Sequence, residues 1–337
     1  MITRQPTIGL VSFSSLGDGL IYLMMSQNLQ DNGLDVTCYG DVAYQLRSWV
    51  PHLKIKPYPK YDELDKELSA YDLVLMSPPQ FIRDSLTPSI LNEMRKKWVL
   101  ICQKVPVTWS FSGREELKKK LGLHIYRKLE HFIESSGSIR YRGFGNESVV
   151  EIVLCYMKEN WKLTKLKKTV TLSPPGLLKP RRFPHRIVIS PDSAGPEEKN
   201  WSPELFFRVC HRLQKKGYEI VLVVSPQNFE RWSKLNEGRY EMPLFNNLAD
   251  LAAFVYESGG LIANDSGNGH LASFLGVPVL TIYKKRNQLF HWRPDWGPAK
   301  VVTPFLTLNL FKCRLWKPFV RPFFVVSGIE RLLKESA

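Results

Sequence analysis

The chain has no clustered cysteines. Cys38, Cys102, Cys155, Cys210 and Cys313 stand singly, are odd in number and form no C-x-x-C. This pattern excludes a zinc knuckle and a disulfide framework and is expected of a reducing, cytoplasmic protein. Long apolar runs are missing too: nothing approaches the roughly 20 residues a helix needs to cross a bilayer. The first residues, Met1 to Pro6, lack the basic and apolar regions of a signal peptide, so the expectation is a protein that is soluble or at most peripheral. Walker A, H-E-x-x-H and G-x-S-x-G are all absent. Acid is scarce: 32 Asp and Glu stand against 47 Lys and Arg, for a net charge of +15. That excess points either to an anionic partner or simply to solubility. The sequence carries no helix-turn-helix, RNP or finger signature, so no nucleic acid is expected as a partner, and charge alone keeps a nucleic-acid-binding protein as a competing possibility.

What remains is an ordinary globular composition, 44% hydrophobic and 23% charged over 337 residues, with room for two cores. Strand-like and helix-like segments alternate, as in parallel α/β proteins. The pattern predicts strands over 8–13, 34–39, 73–76 and 98–102, and helices over 18–32, 114–134 and 147–162. The stretch 165–185 is then rich in Lys, Arg and Pro and reads as a linker. After it the rhythm restarts with strands over 186–190, 219–224, 261–263 and 279–283. Helices are predicted over 203–217, 248–257, 270–275 and 328–334. Ser202-Pro203-Glu204 has the order of a helix start, and Gly217 that of a helix-ending glycine. The expected domains are therefore 1–165 and 186–337, joined by 166–185.

The most informative turn is Asn264-Asp265-Ser266-Gly267-Asn268-Gly269-His270. Small residues between a strand and a helix let a ligand approach the backbone, and the free amides and dipole of the helix favour an anion such as a diphosphate. The competing reading is a tight turn in which Asp265 caps the helix. Gly267-x-Gly269-x-x-Ala272 fits a relaxed dinucleotide fingerprint, but it lies late in the chain and lacks the ribose-binding acid about 20 residues on.

The run Asp265-Ser266-Gly267-x-x-His270-Leu271-Ala272-x-x-Leu275-Gly276-Val277-Pro278 resembles the signature of glycosyltransferase family 9, which includes lipopolysaccharide heptosyltransferases. Ser14-Ser15-Leu16-Gly17-Asp18 is similar to the family's N-terminal turn. Lys199-Asn200-Trp201-Ser202-Pro203 is similar to its lysine-x-tryptophan-proline element, with Ser202 inserted. Three departures border the expected nucleotide pocket: Asn268 replaces the usual proline, Lys284-Lys285-Arg286 replaces Gly-x-Thr, and Ser225-Pro226 replaces a glycine pair.

The resemblance implies a GT-B architecture, two Rossmann-like domains facing a cleft, and inverting transfer from a nucleotide sugar, ADP-heptose first among them, to an anionic lipid-linked glycan. Asp18 is then the candidate base, with helix capping as its competing role. Ser14, Ser15 and Gly17 form the acceptor-side turn. Lys199, Asp265, Ser266 and Gly267 are candidates for donor binding, Ser193 and Gly195 for lining the nucleotide. His270 is either a phosphate contact or a buried structural residue. The chain has no D-x-D, so no metal or other cofactor is expected: the helix dipole and Lys199 would meet the diphosphate. Work at the inner face of the inner membrane would follow. Basic and aromatic residues interleave from Phe311 to Phe324. One reading is peripheral docking at an anionic inner-membrane face, which the net charge favours; the other, expected for the aromatics, is that they pack the C-terminal segment back across the two domains while the cations remain solvated. Two further possibilities compete with heptose transfer: the same fold using another donor to build a different surface glycan, and a catalytically silent scaffold.

Overall fold

The computed structural model describes residues 4–78, 83–84, 87–101, 107–135, 146–193, 199–284, 291–310 and 313–336. The chain divides into two compact units, Met1–Ser173 and Pro174–Ala337.

The first unit contains strands β1 (Thr7–Val11), β2 (Asp35–Tyr39), β3 (Lys54–Lys56), β4 (Leu73–Met76) and β5 (Val99–Leu100). They form a parallel sheet in the order β3-β2-β1-β4-β5. Every residue of β4 is buried, as expected of a strand covered on both faces. The helices are α1 (Leu16–Asp31), α2 (Asp41–Gln45), α3 (Leu64–Leu68), α4 (Pro88–Lys97), α5 (Arg114–Glu134) and α6 (Val149–Glu159). The sequence predicts one unbroken helix over 114–134, but Gly122 takes φ 70° and ψ 159° and splits it in two. Strand order reverses between β1 and β4. Sheets of this kind bind ligands at such a switch point, outside the carboxyl ends of the strands.

Helix α1 is buried almost throughout, including the polar Asn28. That side chain is satisfied by the backbone of Lys167: Asn28 Nδ2 donates to its carbonyl over 2.9 Å, and its amide donates to Asn28 Oδ1 over 2.6 Å. Asn32 holds Thr164 and Lys165 in the same way. At the other end of the predicted linker, Phe183 already lies in a strand.

The second unit contains β6 (Phe183–Ser190), β7 (Glu219–Leu222), β8 (Ser258–Asn264), β9 (Val279–Ile282) and β10 (Ala299–Val302), parallel and ordered β10-β9-β8-β6-β7. Its helices are α7 (Pro203–Gln214), α8 (Phe229–Asn236), α9 (Leu248–Tyr256), α10 (Gly267–Phe274) and α11 (Pro322–Glu335). Gly217 takes the positive φ, 87°, expected of a glycine closing α7. Here the order reverses between β6 and β8. A small hairpin pairs β11 (Leu308–Leu310) with β12 (Cys313–Leu315). The core joins Ile187, Trp201, Phe206 and Ile262 to Trp316, Val320 and Ile329 near the C-terminus.

Two predicted helices are longer than expected. Helix α10 begins at Gly267 rather than His270, with Ser266 as its N-cap in extended conformation. Helix α11 begins at Pro322 rather than Gly328, because proline fits the first helical position. Among the described residues no helix is long and apolar enough to cross a membrane.

Candidate functional site

In the first unit, β1 delivers the chain to Ser14 and Ser15, both exposed, and α1 starts at once. Ser15, not Asp18, is the N-cap. Asp18 stands in the first turn and its amide donates to Ser15 Oγ over 3.4 Å, while the Ser15 hydroxyl donates to the Asp18 carboxylate. Gly17 between them is buried. Burial pushes the Asp18 carboxyl above the usual range; the hydroxyl of Ser15 and the positive charge of Arg83 pull it back in part. A carboxylate made more basic in this way, at the switch point of its sheet, is suited to taking a proton from a hydroxyl.

Two neighbours of Asp18 were not legible in the sequence. Arg83 stacks 4.8 Å above the Phe13 ring. Tyr58 donates its hydroxyl to the carbonyl of Ser12 over 2.8 Å, and burial first, with Asp18 among the nearby charges, raises its pKa. Neither lies in a motif, and both are distant from Asp18 in sequence.

In the second unit, Ser193 follows β6 and Asp265, Ser266 and Gly267 follow β8, the two strands that flank the switch point. Ser266 is the N-cap of α10, so the reading in which Asp265 caps the helix does not hold. The Ser266 side chain makes no capping bond; its Oγ is buried and has no hydrogen-bond partner among the described residues. A buried hydroxyl without a partner is costly, and this one stands where the first amides of a helix also lack intrahelical acceptors. Lys199 Nζ lies 3.1 Å from Asp265 Oδ2, so two donor-binding candidates from different loops meet at this turn. Ser193 donates to Asn200 Oδ1 over 2.6 Å. Gly195 lies outside the described residues, as do Lys285 and Arg286.

His270 is buried, and desolvation lowers its pKa to about 4. It is therefore neutral near pH 7. Its ring meets Trp292 and Trp296 edge-on at centroid distances of 6.1 and 5.9 Å, and its Nδ1 is buried without a hydrogen-bond partner among the described residues.

Buried polar residues lock the turn in place. Asn264, fully buried at the end of β8, donates to the Pro191 carbonyl and accepts from the Trp201 amide over 3.0 Å. One side chain thus fixes the loop after β6 and the start of the Lys199 element. Trp201 in turn donates its indole N–H to the Lys317 carbonyl over 2.8 Å. Asn268, which stands where proline is usual, donates to Ser190 Oγ over 2.9 Å and ties α10 to β6. Ser225 is held by Asp192, which accepts from its amide and its hydroxyl over 3.0 and 3.2 Å and from Trp232 Nε1 over 2.7 Å. Two of the departures are therefore built into bonded networks. The sequence signal for these locks was only a polar residue at the end of an apolar strand.

Among the described residues no three His, Cys, Asp or Glu side chains converge as metal ligands.

Comparison with known proteins follows the same geography. Residues 144–303 match the model of glycosyltransferase family 9 (heptosyltransferase). Lipopolysaccharide heptosyltransferase 3 of Escherichia coli (strain K12) is 27% identical over 117 residues, 33% of this chain and 33% of that protein. The match thus spans about a third of the curated relative's length. Over nearly the whole chain the fold resembles E. coli ADP-heptose lipopolysaccharide heptosyltransferase II, with a TM-score of 0.63 and 15% identity, covering 98% of this chain and 100% of that one. A family 9 glycosyl transferase from Veillonella parvula DSM 2008 gives 0.64 and 18%, covering 99% of each chain. E. coli heptosyltransferase WaaC with ADP gives 0.59 and 15%, covering 98% and 100%. The fold is the two-domain α/β GT-B fold, and the chain is heptosyltransferase-like in sequence from residue 144 to 303.

Proposed function

We propose that this heptosyltransferase-like chain is an inverting glycosyltransferase that moves a sugar, heptose from an ADP-linked donor in the first instance, onto an anionic lipid-linked glycan at the inner face of the inner membrane. The observation that carries the reading is the partnerless Ser266 hydroxyl at the start of α10, with Lys199 beside it. A diphosphate would supply the missing acceptors. The similar WaaC structure with ADP, and the sequence match to a heptosyltransferase, support the choice of donor.

In this reading the Asp18 carboxylate accepts the proton of an acceptor hydroxyl. The freed oxygen attacks the anomeric carbon from the face opposite the diphosphate. The bond to the diphosphate breaks, and its oxygens take up the charge. The amides of Gly267 and Asn268, Ser266 Oγ and Lys199 stabilise the departing group by preorganised electrostatics, and no metal is required for that work. Asp265 holds Lys199 in place and bonds the donor sugar, while neutral His270 backs the turn. Ser193 and Gly195 line the nucleotide, and Ser14, Ser15 and Gly17 shape the acceptor side.

A second reading keeps the reaction and changes the donor. The Asp192–Ser225 network and the Asn268–Ser190 bond favour it, since both differ from the usual family pattern. The test is a panel of nucleotide sugars, ADP-heptose included, with Kdo–lipid A acceptors, reading nucleotide release and acceptor mass for the wild type and Asp18→Ala. Heptose transfer lost in the variant is expected. Transfer from another donor would select the second reading, and neither turnover nor nucleotide binding would sink both.

A further inference from the structure

The end of the second unit leaves large apolar side chains in water. Phe323 is 61% exposed, Phe324 49% and Phe305 45%. Phe323 and Phe324 depart from the expectation that the aromatics of 311–324 pack inward, whereas among the described residues Trp316 and Val320 are buried anchors in the core and Phe319 is half-buried, edge-on to Phe305 at 5.5 Å. Those anchors, with Val325 and Ile329 of α11, hold the segment in a defined place, so the exposed rings belong to ordered structure.

Arg321 links the two groups of rings, reaching Phe305 with its side chain and preceding Phe323 and Phe324 in the chain. The Arg321 guanidinium lies 4.9 Å over the Phe305 ring, and the Phe324 amide donates to the Arg321 carbonyl over 3.0 Å. The rings of Phe323 and Phe324 are 5.7 Å apart. Nearby in sequence, the hairpin sets Leu308 opposite Leu315, and both are exposed. Scattered apolar residues on a surface are ordinary, but large exposed rings gathered around a cation are the kind of surface that marks an interaction site.

Charge identifies the partner. Between Asp295 and Glu330 the sequence has five cations and no acid, and Arg321 among them is exposed within the aromatic group. Phenyl rings flanked by arginine and lysine match the boundary of an anionic bilayer, where the rings enter the headgroup layer and the cations meet phosphates. We infer that the face formed by Phe305, Arg321, Phe323 and Phe324 docks this protein reversibly on an anionic lipid surface. The inference rests on the reading of a lipid-linked acceptor and adds the surface that brings the enzyme to it.

The test is co-sedimentation of the full chain with vesicles of phosphatidylcholine alone or mixed equally with phosphatidylglycerol, without donor or acceptor. Binding to the anionic vesicles is expected, weakened at least about ten-fold on neutral ones. The Phe323→Ser/Phe324→Ser variant should lose about ten-fold on anionic vesicles while keeping its melting temperature and nucleotide binding. Arg321→Glu, which leaves every ring in place, gives an independent second loss if the double variant misfolds. Absence of vesicle binding, or binding unchanged in both variants, would overturn the inference. So would a dimer in sedimentation that the double variant abolishes, because the face would then join two copies. Nucleotide-sugar turnover, measured separately, stays intact in that case, which distinguishes loss of this inference from loss of the enzymatic reading.

Discussion

The Nζ of Lys199 lies 3.1 Å from Oδ2 of Asp265, although the two residues come from loops after different strands. A partly exposed pair of this kind contributes about 0–1 kcal/mol in water. It is therefore weak enough to be exchanged for a phosphate and strong enough to hold the lysine close to the turn. Lys199→Ala should lower kcat/KM for the donor by roughly 10- to 100-fold, the range for a charge-assisted hydrogen bond. Asp265→Asn should leave thermal stability nearly unchanged. Steady-state kinetics with varied donor checks the first and a melting curve the second. An unaltered donor kcat/KM in Lys199→Ala would remove the lysine from the site.

Asp18 gives a prediction that separates function from stability. Burial raises its folded pKa, so the ionised carboxylate is less favourable in the folded chain than in the unfolded one. Its contribution to stability is fully present below the unfolded pKa and is lost as pH rises through the folded pKa. Asp18→Asn should therefore melt like the wild type at about pH 3 or below, and at the same or a higher temperature at pH 7. Turnover should fall by about 10²- to 10⁴-fold. In the wild type the acid limb of kcat/KM should report this carboxyl, and Arg83→Ala, by removing a positive charge that favours ionisation, should move that limb to higher pH. A limb that stays in place would show that another group sets it.

Much of this was legible in the sequence because it depends on local pattern. The restarting α/β rhythm marks out four of the five strands in each sheet but misses the edge strands β3 and β10; the strand at 73–76 is read to the residue, since an apolar run flanked by polar residues has few other solutions. The turn at Asn264–His270 stands out by its small residues between a strand and a helix, and the one at Ser14–Asp18 only by its resemblance to the family's N-terminal turn. What escaped depends on distance in the chain. The Lys199–Asp265 pair spans two loops, and the grip of Asn28 on Lys167 spans 139 positions. Hydropathy likewise could not say which of the C-terminal aromatics are buried: Trp316 and Phe323 look alike in composition and differ only in what α11 and the hairpin leave uncovered.

Asn264 should be a stability residue that also governs the site. Its side chain holds the Pro191 carbonyl and the Trp201 amide in a fully buried setting. Asn264→Ala would leave both groups without a partner, at about 1–3 kcal/mol for each buried group so orphaned. Urea unfolding should show a lower midpoint. Donor binding should also weaken, because the loop after β6 and the Lys199 element lose a common anchor. Loss of stability with donor affinity unchanged would show that the lock does not position the site.

Gly269 sits in the first turn of α10, where alanine would ordinarily favour the helix by up to about 1 kcal/mol. Here a Cβ would stand 2.8 Å from Thr281 Cγ2, on the buried strand beneath. Overpacking of this kind costs about 1–3 kcal/mol, so the steric term should win and Gly269→Ala should be destabilised. Thr281→Ser removes the methyl group that creates the clash, and adding it to Gly269→Ala should restore most of the lost stability. The double variant should also recover donor affinity, because the start of α10 returns to its place over β9. Denaturant midpoints for the two single variants and the double variant measure the coupling. A Gly269→Ala protein more stable than the wild type would mean that α10 can lift away from Thr281 freely, and the close helix–strand packing would then have no part in fixing the turn.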